Sequence, residues 1–211
     1  MTTRASAEID RIHSRSPRRR VWEGSAWRRA AKRVRRRDFV ALGVVLLAIT
    51  IAVLVLRQSG LRIQHTESLP RGIYRDVSGP EAPRIGRGVT AVWCLPAPTA
   101  RWARQQGYLN RGNCPGRAEP LGKVVLATAG DTVDFSAAGV ALNGVSVRRT
   151  ALPTRDLRGR STPRAHFGRY ILRPGEVWLW SPYTTRSFDS RVFGPLPTSA
   201  LVAVVRPVWT F

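Results

Sequence analysis

FVALGVVLLAITIAVLVLRQSGLRIQHTESLP, residues 39–70, decides how the rest of the chain is read. Its first eighteen residues, Phe39 to Leu56, carry no charge. At a helical rise of ~1.5 Å per residue they span about 27 Å, close to the ~30 Å hydrocarbon core of a bilayer. The segment therefore predicts one transmembrane helix. After it come a polar stem, residues 57–64, and a serine, Ser68, about a dozen residues from the apolar run.

The flanks orient the helix. Residues 1–38 hold 13 Lys and Arg against 4 Asp and Glu, and the approach to the apolar run reads Lys32-Arg33-Val34-Arg35-Arg36-Arg37. Basic flanks stay on the cytoplasmic side, which predicts a cytoplasmic tail (1–38), a transmembrane helix (39–57) and an extracytoplasmic domain (58–211). A cleaved secretory signal is the competing account. It fits less well, because the apolar run exceeds an h-region and Val53-Leu54-Val55-Leu56-Arg57 offers no small-x-small cleavage site.

Of the net charge of +22, +9 belongs to residues 1–38 and +13 to the remainder. Such a balance predicts an anionic neighbour, and membrane attachment makes it lipid, with part of the tail as a basic amphipathic helix and most of it disordered. No zinc-finger spacing or other binding motif supports nucleic acid as a partner. The two cysteines, Cys94 and Cys114, both follow the apolar run, and in an oxidising compartment they predict one disulfide; two free thiols are the alternative. No metal or cofactor is expected.

Beyond Val89 the apolar residues come in short runs bounded by Gly, Pro and Asn, a strand pattern. The runs are 89–95, 123–128, 132–135, 140–142, 145–147, 170–172, 177–180 and 201–205. Asn143-Gly144 marks a tight hairpin. The domain is thus expected to be mainly β, with a single helix over 99–108. Residues 148–169, with seven arginines among prolines and glycines, read as a solvated excursion. Trp178, Trp180 and Trp209 suit either the core or the lipid interface.

Lysine usage is the sharpest chemical signal. Of 35 basic residues 33 are Arg, and residues 58–211 contain a single Lys, Lys123. Arginine cannot lose its proton inside a protein, whereas a buried lysine can do so near neutral pH. Apolar neighbours at Pro120-Leu121-Gly122 and Val124-Val125-Leu126 would desolvate the ammonium. A neutral amine needs a nucleophile to activate. The domain has only His65 and His166 for a Ser-His arrangement: His65 is too near Ser68 along an extended chain, and His166 lies in the basic excursion. Gly-x-Ser-x-Gly, His-Glu-x-x-His and Ser-x-x-Lys are absent. Ser68 with Lys123 is the better pair.

Thr66-Glu67-Ser68-Leu69-Pro70-Arg71-Gly72-Ile73-Tyr74, Leu121 to Asp131 (LGKVVLATAGD) and Ser187 to Pro195 (SFDSRVFGP) resemble the three main boxes of the signal peptidase I superfamily, most of all its TraF-type conjugative branch. The resemblance covers roughly residues 60–211. It implies a Ser/Lys serine endopeptidase on a signal-peptidase-like β scaffold, cutting a translocated precursor such as a conjugative pilin or a type IV secretion substrate, in some relatives with cyclisation. By position, Ser68 would be the nucleophile and Lys123 the general base, with the Ser68 amide and the Thr66 hydroxyl as oxyanion donors. Ser187 would orient the lysine, and Asp189 and Arg191 would form an ion pair, the aspartate being itself required in the TraF branch. The chain departs from the general pattern at Lys123-Val124, where Lys-Arg is usual, and at Ala129-Gly130-Asp131, where Pro-Gly-Asp is usual. The other accounts of the same residues are a general signal peptidase and a non-catalytic component of a secretion apparatus.

Overall fold

In the computed structural model, which describes residues 36–79 and 83–211, the uncharged run forms helix α1, Arg36–Gln58. The side chains of Phe39–Val55 along it are all exposed, as a helix with no polar face would leave them when nothing covers it. Among the described residues no helix is long and apolar enough to cross a membrane. Residues 1–35 of the expected basic tail, including the segment expected to be amphipathic, lie outside the described residues, and residues 36–38 open α1.

The apolar runs of the unit Val53–Phe211 build two antiparallel sheets. The strands are β1 (Leu61–Gln64), β2 (Gly72–Asp76), β3 (Thr90–Trp93), β4 (Arg111–Cys114), β5 (Leu121–Thr128), β6 (Thr132–Ser136), β7 (Gly139–Leu142), β8 (Val145–Ser146), β9 (Gly168–Ile171), β10 (Glu176–Trp180), β11 (Leu196–Pro197) and β12 (Leu201–Thr210). A seven-stranded sheet runs β1-β2-β12-β3-β5-β10-β11, and a four-stranded one runs β8-β7-β6-β9. Among the described residues two further α-helices follow, α2, Ala97–Gln105, and the single turn α3, Ser190–Phe193. Asn143 and Gly144 turn β7 into β8 with φ of 50° and 81°, the positive values a tight hairpin demands.

Burial of alternate faces explains the division into cores. Ala91, Trp93, Leu121, Val125, Val177 and Leu179 pack under α2, while Val133, Phe135, Val140 and Trp178 fill the space beneath the smaller sheet. Leu69, Tyr74, Val92, Ala203 and Val205 form a third cluster behind the serine turn. Trp178 is thus a core residue and Trp180 packs partly against the same cluster, whereas Trp209 is exposed near the end of β12.

The stem is not a free tether. Leu61–Gln64 pair with Ile73 and its neighbours as an edge strand, because residue alternation there places Arg62 and Gln64 half-buried and Leu61 and Ile63 outward. Helix α2 begins and ends earlier than the spacing predicts, since Pro96 and Pro98 set the entry and Gln106-Gly107 the exit, Gly107 with φ of 74°.

Candidate active site

Ser68 sits in the turn that joins β1 to β2. Its neighbour Leu69 is buried in the third cluster, and the Tyr74 hydroxyl donates to the Pro70 carbonyl at 2.9 Å, so the turn is pinned on its C-terminal side. On its N-terminal side the Gln64 amide reaches forward to Thr66, donating to the carbonyl at 3.0 Å and to Oγ1 at 2.5 Å. Thr66 and Ser68 both line a cleft of about 670 Å³. Residues 62–69 form one side of this cleft and residues 119–123 another.

Lys123 occupies an inward position in the alternation of β5, between buried Leu121 and Val125, and is 2% exposed. Its Nζ donates to Ser68 Oγ at 2.5 Å. Burial pushes the amine down from 10.5 to about 8; Arg191 acts in the same direction, while Asp189 and Glu119 oppose it. The amine therefore gives up its proton more readily than a solvated lysine would, with its nitrogen against a hydroxyl.

Asp189 and Arg191 form a bidentate ion pair, Nε to Oδ1 at 2.8 Å and Nη2 to Oδ2 at 2.7 Å, both side chains 0% exposed. Asp189 also caps α3 by accepting from the Arg191 amide, and Arg191 Nη1 donates to the Thr150 carbonyl. Both carboxylate oxygens are thus occupied by Arg191. Asp189 makes no hydrogen bond to Lys123 or Ser68 among the described residues and reaches the lysine through its field. Ser187 is buried and lines the cleft, but its hydroxyl has no partner among the described residues, so the bond to Lys123 implied by the resemblance is not made. The amine is directed at Ser68 instead.

The opposite wall departs most from the sequence expectation. A disulfide joins Cys94 and Cys114 across a separation of 20 residues and closes the segment that contains α2. Tyr108, which follows this helix, stacks on Phe188 with ring centres 5.1 Å apart and planes at 2°. Its hydroxyl donates to Asp156 at 2.6 Å. Asp156 also accepts from the amides of Arg158 and Arg160 and from Arg160 Nε. The Tyr108 hydroxyl first, and then Arg160, hold its carboxyl well below the usual range. Arg158 and Arg160 donate to the Gln106 carbonyl, where the end of α2 favours positive charge. Residues 152–163 are therefore a fastened strap on the cleft, not an idle excursion, with Leu152, Arg155, Leu157 and Pro163 on its lining. Asp131 of the second box stands elsewhere: it is held down to about 2 by Arg87 and ties the β5–β6 turn to Asn143 of the hairpin.

Gln64, Tyr108 and Asp156 were not legible as site residues, and the short polar run of β1 gave little strand signal. His65 and His166 are both exposed and neither is hydrogen-bonded through its ring to Ser68 or Lys123 among the described residues.

The chain is 36% identical over 154 residues to the plasmid transfer protein TraF of Escherichia coli, covering 72% of this chain and 85% of that one. It is 39% identical over 155 residues to the probable conjugal transfer protein TraF of Sinorhizobium fredii, covering 72% and 78%. A crystal structure of a signal peptidase I from Enterococcus faecalis aligns with a TM-score of 0.33 at 15% identity, covering 59% of this chain and all of that one. The family described as "Signal peptidase, peptidase S26" matches residues 35–210, and with most of its length accounted for in this way the chain belongs to that family.

Proposed function

We propose that the chain is a membrane-anchored serine endopeptidase with a Ser68/Lys123 dyad, which removes the signal or pro-segment of a translocated precursor, a conjugative pilin or another substrate of a type IV secretion apparatus. The observation that carries this proposal is the 2.5 Å approach of a buried, weakly basic Nζ to Ser68 Oγ. In the reaction the neutral amine takes the hydroxyl proton as Oγ attacks the scissile carbonyl. The oxyanion is received by the Ser68 amide and the Thr66 hydroxyl. Lys123 then passes its proton to the leaving amine, and water, activated by the same lysine, hydrolyses the ester on Ser68. An amine in place of water would give a cyclic product.

The substrate is an extended segment. β1 is an edge strand, paired on one side by β2, and its continuation to Ser68 borders the cleft across from residues 119–123. A chain laid there would gain main-chain hydrogen bonds independent of its sequence, with side-chain pockets supplying selectivity. Small residues before the cut are implied by the resemblance.

Anchorage rests on the uncharged run 39–56, the exposure of its described side chains and the basic flank. With such an anchor the catalytic domain would lie on the periplasmic face, where enzyme and precursor share a plane and their effective concentration rises. The names of the curated relatives favour a conjugative substrate over general leader processing. The test compares mature N-termini of secreted proteins in cells carrying the wild-type chain, Ser68→Ala or Lys123→Arg. Loss of one processed N-terminus in both variants supports the proposal, and unchanged processing in either refutes it.

A further inference from the structure

The side chain of Gln64 carries more information than its position at the end of β1 suggests. Its Nε2 lies 3.0 Å from the Thr66 carbonyl oxygen and 2.5 Å from Thr66 Oγ1. A carbonyl oxygen can only accept, so the atom turned toward Thr66 must be the amide nitrogen and not its oxygen. The Thr66 hydroxyl consequently receives a hydrogen bond from Gln64 and cannot give one back to it. Its proton is left to point elsewhere, and among the described residues no group accepts it. Thr66 lines the cleft beside Ser68.

The room for this arrangement comes from the neighbouring strand. A Cβ on Gly122 would lie 3.2 Å from Gln64 Oε1 and 2.9 Å from Leu69 Cδ1. Leu69 anchors the serine turn and Gly122 precedes the lysine. One missing side chain therefore lets Gln64, the serine turn and β5 meet at close quarters.

We infer that Gln64 is a positioning residue of the oxyanion hole, occupying the acceptor side of the Thr66 hydroxyl so that its proton is aimed into the cleft before substrate arrives. The inference rests on the peptidase proposal above. A donor already oriented costs no reorganisation when the oxyanion forms, which is where such groups gain their catalytic effect. Gln64 lines the cleft but makes no hydrogen bond to Ser68 or Lys123 among the described residues, and its proposed effect on the reaction runs through Thr66.

The test exploits an isosteric change. Gln64→Glu replaces the donating nitrogen with a carboxylate oxygen, which would draw the Thr66 proton away from the cleft. Steady-state cleavage of a quenched-fluorescent peptide with an Ala-x-Ala run before the cut is measured with the full chain in detergent, across pH. The expected result for Gln64→Glu is a fall in plateau kcat on the order of 100-fold, the size of losing one oxyanion donor, at unchanged KM. Gln64→Ala, which leaves the hydroxyl unguided, should lose less. Thr66→Ala should lose as much as Gln64→Glu, and combining the two should lose no more. A wild-type plateau kcat in Gln64→Glu, a loss confined to KM, a change only in the pH midpoint, or a loss that multiplies with that of Thr66→Ala would each overturn the inference. Ser68→Ala, assayed in parallel, separates the two levels. Cleavage that survives there overturns the peptidase proposal and this inference with it, whereas Ser68-dependent cleavage indifferent to Gln64 overturns the inference alone.

Discussion

Titrating the cleavage reaction tests the buried amine directly. Lys123 is lowered from 10.5 to about 8 by burial, which makes the neutral form more favourable by about 3 kcal/mol than in a solvated lysine. Only the neutral form can take the Ser68 proton, so activity must rise with pH. With a midpoint near 8 the neutral fraction is about one-eleventh at pH 7 and about ten-elevenths at pH 9, giving roughly a tenfold rise and then a plateau. A lysine left near 10.5 would instead give a rise of nearly 100-fold over the same interval, still climbing at its end. The assay is kcat/KM for a quenched-fluorescent peptide between pH 6 and 10, with buffers matched in ionic strength. A line of unit slope through pH 9 would refute the burial argument, and a flat profile from pH 6 would remove Lys123 as the base. The same lysine governs stability with the opposite emphasis. Because its folded value is depressed, the unfolded chain holds the proton between about 8 and 10.5 and the folded chain does not. Stability contributed by this group should therefore increase as pH rises through that window, and below it the full cost of the buried ammonium is present. Lys123→Met should be inactive in the peptide assay yet raise the melting midpoint in a thermal scan at pH 7.

Other consequences follow from contacts described above. Asp189→Asn leaves the Arg191 guanidinium buried without its counter-charge and should cost about 3–5 kcal/mol, measured by urea unfolding of the purified chain. Cys94→Ser should lower stability by about 3 kcal/mol, as expected for opening a loop of 20 residues, and wild-type chain should migrate differently on gels with and without reductant. Tyr108→Phe keeps the ring on Phe188 but removes the hydroxyl from Asp156; KM should rise roughly tenfold while the pH midpoint holds, with faster hydrogen exchange in residues 152–163. A KM equal to wild type would mean that the strap does not grip substrate.

The parts of this molecule that could be read along the chain are those held by neighbours in sequence. The apolar run of β5, the Asn143-Gly144 hairpin and the solitary lysine all announce themselves within a dozen residues. The strap is not visible along the chain because its meaning lies in partners far away: Asp156 meets Tyr108 across 48 residues, and Arg160 meets Gln106 across 54. Arginines among prolines look idle until the carbonyls and carboxylate they serve are in view. The polar stem hides β1 because four residues, two of them polar, give too short a window for any periodicity. Gln64 was overlooked for a related reason, since the orientation of an amide depends on a carbonyl two residues on, which composition does not encode.

The scarcity of lysine has a chemical corollary for any ester formed on Ser68. Such an ester is open to attack by primary amines, and the flanks of an ordinary protein bristle with them. Here the domain's sole ε-amine is enclosed next to the serine, while guanidinium groups stay protonated and do not aminolyse. On the proposed anchorage and activity, molecules of this chain crowded together in one membrane would present one another with no surface lysine from this domain able to divert the bound fragment, leaving its fate to water or to an amine that the precursor itself brings.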